Sequence, residues 1–191
     1  MNVRLVPFAQ QRVMPWANGG GSTREVAVDP PDGSLAAGFR WRISRAQVGS
    51  DGPFSLLPGI DRSLWLVAGA GMRLRVDDAD VVLDRPLQRF DFAGETAIVA
   101  HLLAGPCSDL NVMTRRGVVR AEAEVRHGAL DDVVVARGET AVLLVLEGEL
   151  GEASSAFRLA AGDAVVLFGP GQWQCVGAPA TTLVARFSEA P

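Results

Sequence analysis

The sequence predicts an all-β protein, and three observations carry that prediction. No apolar stripe of helical period runs for a useful length, whereas short alternating or continuous apolar runs recur throughout. Turn formers separate these runs every ten residues or so, drawn from 21 glycines and 11 prolines. The order of runs and turns also comes round twice. Residues 66–71 align with 143–148, and 83–92 with 159–168, at an offset of roughly 80 residues.

Taken in order, residues 3–8 read as a short strand, and 14–25 (MPWANGGGSTRE) as an irregular loop. Its three glycines allow positive φ and close backbone approach. The loop gathers Trp16, Asn18, Thr23, Arg24 and Glu25, and it lacks the Lys-Ser/Thr pair of a phosphate-cradling loop. Residues 29–38 form a turn rich in Pro, Asp and Gly. Residues 39–48 form a strand with Trp41, Ile43 and Arg45 on one side and Arg42, Ser44 and Ala46 on the other. Arginine is seldom buried unless paired, so this mixed strand points to a polar cavity inside a β structure.

A connector bearing Phe54 and Ser55 leads into a strand at 62–68, and Gly69, Ala70 and Gly71 are expected to close a hairpin with 72–76. Strands follow near 81–83, 86–92 and 96–103. Across 109–116, Asp109, Asn111 and Met113 alternate with Leu110, Val112 and Thr114. Two readings of that segment stand: a strand offering Asp and Asn to barrel arginines, or a linker strand with its polar face outward. Residues 118–125, 132–136, 141–146, 157–159, 164–168 and 181–187 repeat the rhythm, with Glu147, Gly148 and Glu149 at a second hairpin turn. The economical architecture is a duplicated jelly-roll-like β-barrel, residues 1–117 and 118–191.

Composition bounds the function. At 191 residues and 48% apolar content the chain can bury a sizeable core. A net charge of −4, with no long Lys/Arg block, argues against nucleic acid. All 18 basic residues are arginine, a bias that lowers the weight of any single one. The N-terminal segment shows no secretory h-region, and no apolar run approaches the ~20 residues needed to span a bilayer, so a soluble cytoplasmic protein is expected. Cys107 and Cys175 make neither a disulfide framework nor a metal knuckle.

Metal and nucleophile chemistry lack residues. The only histidines are His101, read as a core or pocket-wall residue, and His127, read as a turn residue. Neither clusters with other ligands, so a transition-metal site is not expected, and no Gly-x-Ser-x-Gly accompanies them.

The segment VLEGEL followed by LAAGDAVVLFGPG resembles the cupin barrel, with Gly at a turn and Gly-Asp opening a strand that ends in Pro-Gly. Further motifs are longer: W-x-N-G-G-G-x-T-R-E at 16–25, W-R-x-S-x-A at 41–46, G-P-F-S-x-x-P-G-x-D-R at 52–62 and D-L-N-V-M-x-R at 109–115. Together they resemble the HutD/Ves family along nearly the whole chain. The resemblance implies a bicupin without the usual metal ligands, associated with histidine utilisation or stress responses. One departure is Arg45, where many relatives carry Ile before Ala.

The implied role is a non-catalytic protein that senses or buffers a histidine-degradation intermediate such as formylglutamate. A metal-independent cupin enzyme and a scaffold protein are the alternatives. A small dicarboxylate suits planar arginine forks with neutral donors beside them. Arg42 and Arg62 are the candidate clamps, with Ser44, Ser55, Asn18 and Thr23 as hydrogen-bonding groups. Trp16, Trp41 and Phe54 would form walls, Gly20 and its neighbours would permit close packing, and Glu25, Asp109 and Asn111 would orient the arginines. The expected partner is a small acidic metabolite, with no cofactor, metal, nucleic acid or membrane, and a homodimer is compatible with it.

Overall fold

A computed structural model describes residues 1–154 and 157–191. The chain divides into two compact units, one of Arg12–Val118 and one of Met1–Gln11 with Val119–Pro191. The first eleven residues, assigned above to the N-terminal half, belong to the C-terminal unit. Strand β1 (Asn2–Val6) pairs antiparallel with residues 164–168, Leu5 lying opposite Val165. Side chains lock the segment in place: Gln11 Nε2 donates to the Gly162 carbonyl at 2.7 Å, and the Phe8 amide donates to Asp163 at 2.7 Å.

The Arg12–Val118 unit contains β2 (Val13–Pro15), β3 (Gly21–Asp29), β4 (Trp41–Val48), β5 (Gly52–Pro53), β6 (Ile60–Ala68), β7 (Met72–Val76), β8 (Ala79–Leu83), β9 (Arg89–Ala93), β10 (Ile98–Leu102) and β11 (Cys107–Arg115). They form a six-stranded sheet in the order β2-β3-β4-β11-β6-β9 and a four-stranded sheet in the order β5-β10-β7-β8. Period-2 alternation sends Leu64 and Leu66 of β6 into one cluster with Met72 and Leu74 of β7, Leu83 of β8, and Ile98 and Ala100 of β10. Burying each large aliphatic chain is worth about 1.5–3 kcal/mol, which makes this shared core the main cohesion between the two sheets.

The C-terminal unit adds β12 (Val119–Gly128), β13 (Val133–Val135), β14 (Thr140–Glu147), β15 (Glu149–Glu152), β16 (Arg158–Ala160), β17 (Ala164–Phe168), β18 (Gly171–Trp173), β19 (Cys175–Val176) and β20 (Ala180–Glu189). Its pairing repeats that of the first unit. The order β12-β20-β14-β17 corresponds to β4-β11-β6-β9, and β16-β15-β19 corresponds to β8-β7-β10. The interiors differ. Where β6 carries Arg62, Leu64 and Leu66, β14 carries Ala141, Leu143 and Val145, packed with Leu150, Leu159 and Trp173 in an apolar cluster.

Several sequence expectations are corrected. Residues 69–71 and 147–149 do not close hairpins, because β6 pairs with β11 and β9 while β7 pairs with β10 and β8, and β14 and β15 are likewise unpaired with each other. The tight turn at 69–71 instead carries the chain from one sheet to the other. Gly71 sits at φ +102°, and a Cβ there would run into the Leu83 carbonyl, so the position has no room for a side chain. Residues 14–25 are two strands joined by a turn. The linker reading of 109–116 fails, since β11 lies between β4 and β6 and is buried along its length. The described strands of each unit lie in separate sheets and not in one closed ladder. Among the described residues no helix is long and apolar enough to cross a membrane.

Candidate functional site

The interior face of the six-stranded sheet is polar at one end, and strand register explains why. Ser44 of β4 faces Asn111 of β11 and Glu25 of β3, while Met113 of β11 stands between Arg42 of β4 and Arg62 of β6. With strands about 4.8 Å apart, the two arginine backbones are separated by roughly 10 Å on one face. A bulge in β3 between Glu25 and Ala27 inserts Val26, so that both Glu25 and Val28 meet β4 from the interior side.

Of the buried charged side chains, Arg42 has a carboxylate in contact, whereas Arg62 and Asp109 are both bonded to Asn111. Arg42, 3% exposed, donates from Nε to Glu25 at 2.8 Å and from a terminal nitrogen to Ser44 at 3.3 Å. Glu25 also accepts from Arg12 at 3.3 Å. Charge-assisted bonds of this kind are about twice as strong as neutral ones, and here they hold a desolvated guanidinium in place. Arg62 is held differently. Its Nε donates to Asn111 Oδ1 at 3.1 Å, and Asn111 Nδ2 donates onward to Asp109 Oδ1 at 2.9 Å. Its guanidinium also lies 5.3 Å from the Phe54 ring centroid and 4.7 Å from that of Phe92. The terminal amino groups of Arg62 have no hydrogen-bond partner among the described residues.

Electrostatics follow from this burial. Asp109, 2% exposed, has its pKa pushed up to about 6 by desolvation, against the downward pull of the Asn111 hydrogen bond and the Arg62 charge. Arg62 is brought down to about 10, again chiefly by desolvation, with Asp109 opposing and Arg42 adding to the fall. The end of the unit therefore holds two guanidiniums, one carboxylate in direct contact with one of them, and one carboxyl that titrates close to neutrality.

At the rim, Trp16 Nε1 donates to Thr23 Oγ1 at 2.8 Å, with both side chains half-buried. The glycines between them are ordered. Trp16 N donates to the Gly21 carbonyl at 2.9 Å, and Gly49 N donates to the Gly20 carbonyl at 2.8 Å. A Cβ on Gly21 would run into the Gln47 carbonyl and lie 2.8 Å from the Trp16 ring, while one on Gly20 would lie 2.6 Å from Ser50 Oγ.

Ten of the expected residues thus share this region: Trp16, Gly20, Thr23, Glu25, Arg42, Ser44, Phe54, Arg62, Asp109 and Asn111. Three do not reach the polar face. Trp41 is buried on the opposite face of β4, because odd positions of that strand point away from Arg42. Asn18 is exposed and uses its side chain to accept from the Gly20 amide at 3.0 Å. Ser55 is exposed on the chain after β5. Arg45, the departure from the family pattern, also lies on the far face, where it donates to Ser108 at 3.0 Å.

Sequence reasoning missed Phe92 and Arg12, and it placed Met113 on the face of Asp109 and Asn111 without a site role. The alternation Phe90-Asp91-Phe92 was visible, and the pairing of Arg62 with Phe92 across β6 and β9 was not. His101 is not a pocket wall. It is half-exposed in the four-stranded sheet, 3.1 Å from Asp51, and His127 lies in β12 instead of a turn. Among the described residues no three His, Cys, Asp or Glu side chains come together to hold a metal ion.

Two antiparallel sheets around a shared core, with a polar end, place the chain among cupin-like proteins by fold. A cupin 2 conserved barrel domain protein from Leptotrichia buccalis shares that fold at a TM-score of 0.58 and 9% identity, covering 100% of this chain and 98% of that one. The HutD family model matches residues 9–185, and the chain belongs to the HutD family. Two solved structures are similar over their full length. A conserved protein of unknown function, PA5104 from Pseudomonas aeruginosa PAO1, has 32% identity and a TM-score of 0.86, covering 98% of this chain and 100% of that one. HutD from Pseudomonas fluorescens SBW25 has 26% identity and a TM-score of 0.85, covering 100% of both. Protein Ves of Citrobacter koseri is 40% identical over 112 residues, 58% of this chain and 56% of that protein. The chain thus spans a little over half the length of that curated relative.

Proposed function

We propose that the chain is a bicupin, two jelly-roll-like barrels, whose Arg12–Val118 unit binds a small carboxylate without catalysing its conversion. The ligand class is a histidine-degradation intermediate such as formylglutamate, which the protein senses or buffers in the cytoplasm. The observation that carries this reading is Arg62. Its guanidinium is desolvated, stacked by Phe54 and Phe92 and oriented through Nε by Asn111, while its terminal amino groups are left for an acceptor. A carboxylate fits that fork. Arg42 stands two strands away on the same face as the second positive centre, and Ser44, Thr23 and the Trp16 ring supply donors and wall.

The test is a calorimetric and thermal-shift titration with formylglutamate, urocanate and histidine. A bound ligand at a hundredfold excess over Kd stabilises by about 2.7 kcal/mol. Arg62→Gln removes that gain while leaving the protein folded. Absence of saturable heat and of a thermal shift with all three compounds defeats the proposal.

A metal-independent enzyme is the second reading, favoured by Asp109 alone: a buried carboxyl near neutrality beside a guanidinium suits proton transfer. Turnover of one of these compounds, lost in Asp109→Asn with binding retained, would establish it.

A further inference from the structure

The C-terminal unit carries a second polar feature, an open cleft of about 370 Å3. Its charged lining consists of Arg120, Arg137, Arg186, Glu122, Glu139 and Glu189. The duplicated topology explains why it is open. Glu122 faces Arg186 across β12 and β20, as Arg42 faces Met113 across β4 and β11. In the Arg12–Val118 unit β3 covers the outer edge of β4, whereas β12 is the last strand of its sheet. The charged face of β12 is therefore left to line a cleft.

Part of that charge is already committed. Arg186 donates to the Val134 carbonyl at 2.7 Å and to Glu139 at 3.3 Å, and Glu139 accepts the Ala136 amide at 2.9 Å with its other oxygen. Arg120 donates from Nε to Ser188 at 2.9 Å. These bonds fix the floor and one wall. Of the other three charged residues Glu189 is engaged in an interaction of its own, whereas Glu122 and Arg137, one of each sign, have no hydrogen bond or ion pair to any described residue. A singly charged ligand would satisfy one of them and be repelled by the other. A ligand carrying both charges satisfies both, and the volume, near the lower end for small-molecule sites, suits a molecule of amino-acid size.

We propose that this cleft is a second ligand site, separate from the Arg62 array, which takes a free zwitterionic α-amino acid. Its carboxylate lies toward Arg137 and the terminal nitrogens of Arg120, and its ammonium toward Glu122. The site is exposed, so affinity is weak and salt-sensitive.

The experiment is a backbone amide NMR titration of the full chain with glycine and L-glutamine, using propionate and propylamine as single-charge controls. The expected result is saturable shifts at residues 120–122, 136–139 and 186–188 with the two zwitterions, and weaker, non-saturating shifts with the controls. Glu122→Gln and Arg137→Gln should each lower zwitterion affinity by about fivefold, the size of one exposed ion pair. Both variants should leave any response at Arg62 unchanged, so loss of one site is distinguishable from loss of the other. Equal response to the single-charge controls, shifts confined to other residues, or indifference to both substitutions overturns the proposal.

Discussion

Replacing Asp109 with Asn should stabilise the protein at neutral pH and leave it unchanged in acid. The carboxyl is 2% exposed, and burial raises its pKa from 3.8 to about 6. At 1.36 kcal/mol per pKa unit, roughly two units correspond to about 3 kcal/mol. The sign follows from proton counting. The folded state holds the Asp109 proton more tightly than the unfolded chain, so the folded state binds more protons between about pH 4 and pH 6. Stability from this group falls as pH rises through that window, and above it the full penalty of a buried carboxylate is present. Asn at the same position never ionises, and its carbonyl can still accept from Asn111 Nδ2. The stability difference between variant and parent should therefore grow from near zero at about pH 4 to about 3 kcal/mol at pH 7. Urea unfolding followed by tryptophan fluorescence reads it out, because Trp16, Trp41 and Trp65 all lie in the Arg12–Val118 unit. Parallel pH profiles for the two proteins, or a parent that gains stability between pH 4 and pH 6 relative to the variant, would refute the reasoning.

Two further outcomes can be measured in the same way. Glu25→Ala strands the Arg42 guanidinium, 3% exposed, without its carboxylate, and should cost about 3–5 kcal/mol, with Arg42→Met in the same chain recovering much of the loss. Leu143→Ala empties a fully buried position of the C-terminal unit's core and should cost about 3–5 kcal/mol in denaturant unfolding, with no change in any response at Arg62.

The duplicated topology gives the asymmetry between the units a physical basis. In both, an inner strand presents three side chains to the interior at matching places, Arg62, Leu64 and Leu66 in one and Ala141, Leu143 and Val145 in the other. The apolar set needs no partners and fills space. The polar set is tolerable because Asn111 on the adjacent strand accepts from Arg62, and Glu25 on the strand next to β4 pairs with Arg42. One interior is a packed core, and the other keeps an arginine whose terminal nitrogens are uncommitted.

By itself the sequence determined the all-β class, since period-2 alternation and turn chemistry act over a few residues and survive any later arrangement. It also determined which side chains share a face: Arg42 with Ser44, and Asp109 with Asn111. Only the tertiary structure decided which strands are neighbours. That choice made β11 the centre of a sheet, sent β6 and β7 into different sheets, and gave the first eleven residues to the C-terminal unit. Ladder hydrogen bonds are alike for every backbone, so partner choice is settled by the summed burial and pairing of side chains distant along the chain.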